Sequence, residues 1–168
     1  MKQKETLYIA YGSNLNLSQM ALRCPTAKVV GTSEIKDYGL LFRGNPRSAV
    51  ATVEPLKGSN VPVLLWRLKE CDQQALDRYE GYPNFYRKEI LPVELEDKTI
   101  PAMVYIMNEG HPFGVPSDYY LNTIMEGYHS AGFDTEILEQ AVFKSFLLAQ
   151  KQQEAEPEQG ILFDQKWW

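Results

Sequence analysis

The feature that most limits the fold is a series of β-rich segments joined by short turns, over residues 27–68 and again over residues 86–107. Clusters such as Gly44-Asn45-Pro46, Lys57-Gly58-Ser59-Asn60 and Glu96-Asp97-Lys98 separate these segments and are typical of turns. Connections this short join neighbouring antiparallel strands, whereas parallel strands need long crossovers. The predicted strands are residues 6–10, 28–38, 39–43, 48–54, 61–67, 86–95 and 100–107.

Helical patterns lie on either side of these strands and between them. Residues 18–24 and 71–79 have helical character, with Asn16 as the N-cap of the first helix and Gly81 ending the second. A third helix begins after Ser117 and ends at Gly132, and a fourth covers residues 134–150. This order predicts an α+β domain with a mixed, mostly antiparallel sheet and flanking helices.

The chain end differs in composition from the rest. We expect a domain over residues 1–150, then a polar linker over residues 151–160 and an apolar tail, ILFDQKWW, over residues 161–168. A tail of this kind would expose an adhesive patch in water. It is therefore expected to dock on its own subunit or on a neighbouring one, so a homodimer is among the expected states.

Composition excludes several classes of partner. The chain has 168 residues and a formal net charge of −5, so nucleic acid and anionic membranes are not expected as main partners. The apolar runs are far too short to span a bilayer. No apolar signal-peptide core follows the first residues, and the two cysteines are too few for a disulfide framework or a zinc motif. These observations predict a cytoplasmic protein.

The motifs of several common enzyme classes are absent. The sequence contains no phosphate-binding G-x-x-x-x-G-K-[ST], no dinucleotide-binding G-x-G-x-x-G, no G-x-S-x-G and no H-E-x-x-H. His111 and His129 are the only histidines and lie on dissimilar segments. We therefore expect no metal site and no mechanism that depends on an activated serine or cysteine.

Three clusters remain as candidates for function, and each has a structural alternative. Residues 8–16, YIAYGSNLN, run from a strand through a turn into a helix, where successive N–H groups can bind an anion or simply form a tight turn. Glu80 ends a helix, where the macrodipole disfavours a negative charge, so its pKa rises if it is buried and stays ordinary if it is solvated. Tyr120, three residues after the Ser117 cap, either points its hydroxyl into a cleft or anchors its helix to the sheet.

Taken together, these clusters resemble the gamma-glutamylcyclotransferase-like family, with its plant AIG2-like and bacterial antibiotic-biosynthesis relatives. The resemblance rests on Y-G-S-N-L at residues 11–15, D-x-x-E-G at residues 77–81, Y-R-K at residues 86–88 and P-S-x-x-Y at residues 116–120. It covers roughly residues 6–132, and the order and spacing of the motifs carry more weight than any one of them.

The resemblance implies a small, barrel-like α+β fold with a cavity at one end. It also implies an enzyme that cyclises a small gamma-glutamyl amino acid or amine to 5-oxoproline and releases the amine, without a cofactor or metal. By motif matching, Glu80 falls on the catalytic acid/base and Tyr120 on a substrate-contacting tyrosine. The remaining substrate-binding positions implied are Tyr8, Ile9, Ala10, Tyr11, Gly12, Ser13 and Asn14.

Two other functions are compatible with the same residues. A catalytically silent ligand-binding module could use the same fold, because fold does not fix function. An amidohydrolase could use Glu80 to activate water instead of the substrate amine. The presence of Glu80 favours an enzyme, and the leaving amine stays open among an amino acid, a lysine ε-amine and a polyamine-like amine.

Overall fold

The α+β class is confirmed by a computed structural model, which describes the backbone of residues 4–164 and the side chains of residues 4–155. The described residues form one five-stranded sheet and four α-helices, which in chain order lie between its strands and after them. In chain order the elements are β1 (Thr6–Ala10), a 3-10 turn (Ser13–Leu15), α1 (Leu17–Arg23), β2 (Lys28–Arg43), β3 (Val50–Leu68), α2 (Glu70–Glu80), β4 (Tyr86–Leu95), β5 (Lys98–Met107), α3 (Asp118–Ala131) and α4 (Thr135–Asp164).

The sheet is mixed and open. Its strand order is β2-β3-β1-β5-β4, and β1 runs parallel to β5 while the other neighbouring pairs are antiparallel. The two edge strands approach each other through side chains: Ser33 Oγ donates to the Glu94 carbonyl at 2.6 Å, and Lys36 Nζ lies 2.9 Å from Glu94 Oε1. The sheet is therefore barrel-like only in a loose sense.

The predicted turn over residues 57–60 is wrong, because β3 continues through it. Residues 56–59 bulge out opposite Asp37 on β2. The two strands predicted on either side of the Tyr38–Gly39 bond are likewise one strand, β2, which this bulge interrupts only in register. Gly58 has a φ of +85° and its N–H donates to Asp37 Oδ1 at 2.8 Å. The turn-forming residues thus make a β-bulge that bends two long strands instead of reversing the chain.

The turn between β4 and β5 is confirmed. Leu95 pairs with Lys98, so the connection consists of Glu96 and Asp97, which have φ values of +51° and +62°. Two consecutive left-handed residues are the signature of a type I′ turn, whose twist matches that of antiparallel strands.

The helix ends also follow the sequence prediction. Asn16 Oδ1 accepts from Gln19 N at 3.0 Å, and Ser117 Oγ accepts from Tyr120 N at 3.2 Å. Gly81 ends α2 in the left-handed conformation that glycine adopts at helix C-termini. These caps fix the ends of the helices that carry or contact the candidate site.

The linker prediction is corrected by α4, which does not end at Gln150 but continues to Asp164. Residues 151–155 are Lys, Gln, Gln, Glu and Ala, all strong helix formers, and their exposure explains the polar composition. The expected docking of the apolar tail falls on side chains outside the described residues. Within the described part of the chain, no helix combines the length and apolar character needed to cross a membrane.

Candidate active site

A tyrosine-rich cavity of about 230 Å³ lies where β1 runs into the 3-10 turn. Residues far apart in the sequence form its walls, and six of them are tyrosines. The lining residues are Tyr8, Tyr11, Gly12, Ser13, Asn14, Val50, Ala51, Tyr79, Glu80, Phe85, Tyr86, Tyr105 and Tyr120. The cavity thus combines apolar ring faces with a small number of polar groups, as ligand pockets commonly do.

Most of the residues predicted for the site meet in this cavity. Glu80, Tyr120, Tyr8 and the turn from Tyr11 to Asn14 all line it. Ile9 and Ala10 do not, and both are fully buried in the apolar core. Both pair with β3 across the sheet, Ile9 with Leu65 and Ala10 with Leu64, and thereby fix where the turn begins. Their contact with a substrate stays a prediction.

Glu80 is the acidic group of the cavity and the last residue of α2. Its Oε1 accepts a hydrogen bond from Asn14 Nδ2 at 3.3 Å, and the same amide donates to Tyr8 Oη at 2.9 Å. Burial raises the pKa of Glu80 to about 7, and the positive charge of Arg23 opposes this shift. Near neutral pH the carboxyl can therefore both accept and donate a proton.

Arg23, at the end of α1, is a part of the site that sequence reasoning missed. Its guanidinium lies 3.5 Å from the centroid of the Tyr79 ring and donates to Asn14 Oδ1. Tyr79 Oη in turn lies within hydrogen-bond distance of Ser13 Oγ, at 3.0 Å. Arg23 thus holds the amide that contacts Glu80 and supplies a positive charge beside it.

The turn after β1 has backbone N–H groups in residues that line the cavity, Ser13 and Asn14. The carbonyls of Gly12 and Ser13 accept from Leu15 N at 3.0 Å and from Asn16 N at 3.1 Å. The N–H groups of Ser13 and Asn14, at the start of the turn, donate to no loop or cap carbonyl among the described residues. Unused N–H groups at the start of a helical turn are suited to bind an anion.

The tyrosine hydroxyls hold the cavity walls together. Tyr11 Oη donates to the Tyr105 carbonyl and Tyr86 Oη donates to the Ala51 carbonyl, both at 2.6 Å. Tyr120 Oη accepts from Ala51 N at 3.0 Å, which leaves its own proton available to a bound molecule. Burial raises the pKa of each of these tyrosines, so their hydroxyls stay protonated at neutral pH.

No cluster of three or more histidine, cysteine, aspartate or glutamate side chains suited to a metal ion occurs among the described residues. His111 packs its ring against Phe85, with 4.8 Å between centroids, and does not line the cavity. The polar groups that could act on a ligand here are thus Glu80, Asn14, the tyrosine hydroxyls and the backbone of the turn.

Comparison with known proteins identifies the family. The family model described as "Gamma-glutamyl cyclotransferase, AIG2-like" matches residues 8–127, a stretch that contains every lining residue of the cavity. The chain belongs to this gamma-glutamyl cyclotransferase, AIG2-like family. The family membership inferred from the Y-G-S-N-L and E-G motifs is confirmed.

Relatives of this family cover most of the chain. The "Gamma-glutamylcyclotransferase" of Bos taurus is 30% identical over 142 residues, which are 77% of this chain and 73% of the relative. The protein of the same name from Homo sapiens is 27% identical over 147 residues, which are 82% of this chain and 77% of the relative. These names support the expectation of an enzyme of this kind.

A solved structure named "Gamma-glutamyl cyclotransferase" is similar to most of this chain. It superposes with a TM-score of 0.71 and 26% sequence identity, over 82% of this chain and 86% of that chain. The open, mixed sheet described above is thus a gamma-glutamyl cyclotransferase fold.

Proposed function

We propose that this protein is a gamma-glutamyl cyclotransferase, which cyclises a gamma-glutamyl amino acid or amine to 5-oxoproline and releases the amine. The observation that supports this most strongly is the Glu80 carboxyl, whose pKa burial raises to about 7, in a tyrosine-lined cavity beside the unused N–H groups of Ser13 and Asn14. That arrangement supports an acid/base role for Glu80 and binding of an anion at the neighbouring turn.

Binding in this scheme uses the turn after β1. The α-carboxylate of the substrate accepts hydrogen bonds from the N–H groups of Ser13 and Asn14. The γ-glutamyl chain lies against the tyrosine rings, which leaves its α-amine near Glu80. This folded arrangement brings the amine to the γ-carbonyl of the same molecule, so the gain from proximity is large.

The chemical step needs one proton carrier. The Glu80 carboxylate takes a proton from the α-ammonium of the substrate, and the free amine then attacks the γ-carbonyl carbon. A new carbon–nitrogen bond closes the five-membered ring, and the bond from that carbon to the leaving nitrogen breaks. The protonated Glu80 gives its proton to the leaving nitrogen as that bond breaks. The regenerated carboxylate then takes the extra proton from the ring nitrogen, which leaves 5-oxoproline and a neutral amine. This second proton passes from Glu80 to the released amine or to solvent. A hydroxyl such as that of Tyr120 can stabilise the oxyanion between these steps.

This chemistry requires no cofactor and no covalent link to the enzyme, because the nucleophile belongs to the substrate. Cys24 and Cys71 are both free thiols, which supports a reducing compartment such as the cytoplasm for this activity. The small-molecule substrate is the partner we propose.

The direct test is product analysis with a panel of gamma-glutamyl amino acids and gamma-glutamyl amines. Formation of 5-oxoproline with equimolar free amine supports cyclisation. Release of glutamate contradicts it and supports an amidohydrolase. Saturable binding without turnover across the panel contradicts it as well, and supports a binding module.

Replacing Glu80 by glutamine tests its role. Glutamine has almost the same volume and can still accept from Asn14, but it cannot carry a proton. We expect kcat to fall by about 10²–10⁴-fold with substrate affinity retained, since the α-carboxylate is held by the turn. The matched control is Glu70→Gln, which makes the same change at an exposed position of the same helix. Turnover of Glu80→Gln equal to that of the control would refute the assignment.

A further inference from the structure

Asp77 lies one helical turn before Glu80 on α2 but does not line the cavity. Its Oδ1 accepts from Tyr105 Oη at 2.5 Å and lies 2.9 Å from Lys88 Nζ, and its Oδ2 lies 3.1 Å from the same ammonium. One carboxylate thus joins the last turn of α2 to both β4 and β5.

The backbone of Asp77 takes part in the same junction. Its carbonyl accepts from Tyr82 N at 2.9 Å, in the cap that ends α2 at Gly81. The ammonium of Lys88 also lies 4.2 Å from the centroid of the Tyr82 ring. Tyr82, the second residue after Glu80, is therefore held by both Asp77 and Lys88.

The partner hydroxyl of Asp77 belongs to a wall of the cavity. The Tyr105 ring lines the cavity and packs edge-on against Tyr8, with 5.8 Å between centroids. Tyr8 Oη accepts from the same Asn14 amide that donates to Glu80. A displacement at Asp77 can therefore reach Glu80 along the helix and also through Tyr105, Tyr8 and Asn14.

The Asp77–Lys88 pair is largely shielded from water, with side-chain exposures of 28% and 21%. Removing one partner of a shielded ion pair leaves the other charge without compensation, which disturbs its surroundings more than loss of a surface pair does. Replacing both partners by neutral groups leaves no such charge.

We infer that Asp77, with Lys88, is a positioning residue, which sets the geometry of Glu80 and of the Tyr105–Tyr8 wall without contacting the substrate. The kinetic test of this inference rests on the proposed function, and the structural test does not. The reaction itself uses neither side chain, so this role accounts for the aspartate in the D-x-x-E-G motif and for the lysine in the Y-R-K motif.

The test compares Asp77→Asn with Asp72→Asn, the same substitution near the other end of α2. The Asp72 carboxylate is also a helix-organising group: its Oδ2 accepts from Lys69 N at 3.0 Å and from Thr26 Oγ1 at 2.6 Å. Both variants lose stability, but only Asp77→Asn is expected to lower kcat, by about tenfold or more, with KM within about threefold of wild type. The double variant Asp77→Asn/Lys88→Gln should recover most of this loss. A kcat for Asp77→Asn equal to that of Asp72→Asn overturns the inference.

A second readout is independent of activity. The side-chain amide of Asn14 reports on both Glu80 and Tyr8, so its ¹⁵N–¹H signals should shift in Asp77→Asn and stay in place in Asp72→Asn. An unchanged Asn14 signal in Asp77→Asn overturns the inference even if wild type forms no 5-oxoproline. Absence of 5-oxoproline together with the expected shift refutes the proposed function alone.

Discussion

Gly12 has no side chain at the point where the turn faces Ala51 and Tyr120. An ideal Cβ there would lie 3.2 Å from Ala51 Cβ and 3.5 Å from Tyr120 Oη. The branched side chain of Gly12→Val must therefore displace the turn or occupy the cavity. We expect KM to rise at least about tenfold, which corresponds to roughly 1.4 kcal/mol of binding free energy.

Ser13→Ala is the comparison for this variant. If Ser13 acts through its backbone N–H, the loss of its hydroxyl removes only the contact with Tyr79 and should change KM much less than Gly12→Val does. Steady-state kinetics of both variants decide the point. Equal, small effects would exclude binding of the α-carboxylate at this turn.

Arg23 should set the pH range in which Glu80 can act as a base. Its positive charge holds the pKa of Glu80 below the value that burial alone would produce. In Arg23→Gln the pKa of Glu80 should rise above about 7, so the acidic limb of the kcat–pH profile moves to higher pH. Arg23→Lys keeps the charge and should move the limb less. A shift of this limb to lower pH would contradict the electrostatic role of Arg23.

At the scale of elements, the sequence predicts local structure better than the path of long strands. Asn16, Ser117 and Gly81 define helix ends because capping depends on neighbours within a few residues. The bulge at Asp37 could not be predicted, because it depends on residues of the other strand, 56–59. Likewise, a polar composition does not separate a solvated linker from the exposed helix that α4 forms.

The contact of α3 with the 3-10 turn leaves no room at Gly127. An ideal Cβ on Gly127 would lie 2.5 Å from Leu15 Cβ and 2.8 Å from the Leu15 carbonyl carbon, so one element must move. Gly127→Ala should lower the stability by about 1–3 kcal/mol, as overpacking does. It should also raise KM, because Leu15 belongs to the turn that begins at Ser13.

Asn122→Ala is the control for this prediction, since it adds no bulk at an exposed position of the same helix. Thermal unfolding and steady-state kinetics are measured for both variants. A stability and KM of Gly127→Ala equal to those of Asn122→Ala would show that the turn accommodates the methyl group without moving.

At the scale of the whole molecule, only part of the site could be predicted from the sequence. The turn around Gly12 and the Glu80-Gly81 pair are local motifs, and Gly12 and Glu80 line the cavity. Tyr105 and Arg23 carry no local signal, because sheet order brings Tyr105 to the cavity and helix packing brings Arg23 against Tyr79 in its wall. The expected homodimer stays a prediction, which light scattering of the full chain can test.

Glu80 should also couple the stability of the whole molecule to pH. Its pKa is about 7 in the folded protein and near the ordinary value of 4.5 in the unfolded chain. Below pH 4.5 the carboxyl is protonated in both states, and the stabilising contribution of the protonated group is fully present. As pH rises through 7 this contribution is lost and the free energy of unfolding falls, because the unfolded chain releases the proton more readily than the folded protein does. The loss is on the order of 1–3 kcal/mol, since solvent reaches part of the side chain.

Glu80→Gln removes this titration, so the variant should gain stability relative to wild type as pH rises from about 5 to about 8. The measurement is Tm of both proteins at the two pH values, with Glu70→Gln as the exposed control. A difference in Tm between Glu80→Gln and wild type that stays the same at both pH values would mean that Glu80 is solvated and has an ordinary pKa. The expected result links function to stability: the burial that keeps a proton exchangeable near neutral pH is the same burial that destabilises the fold when that proton leaves.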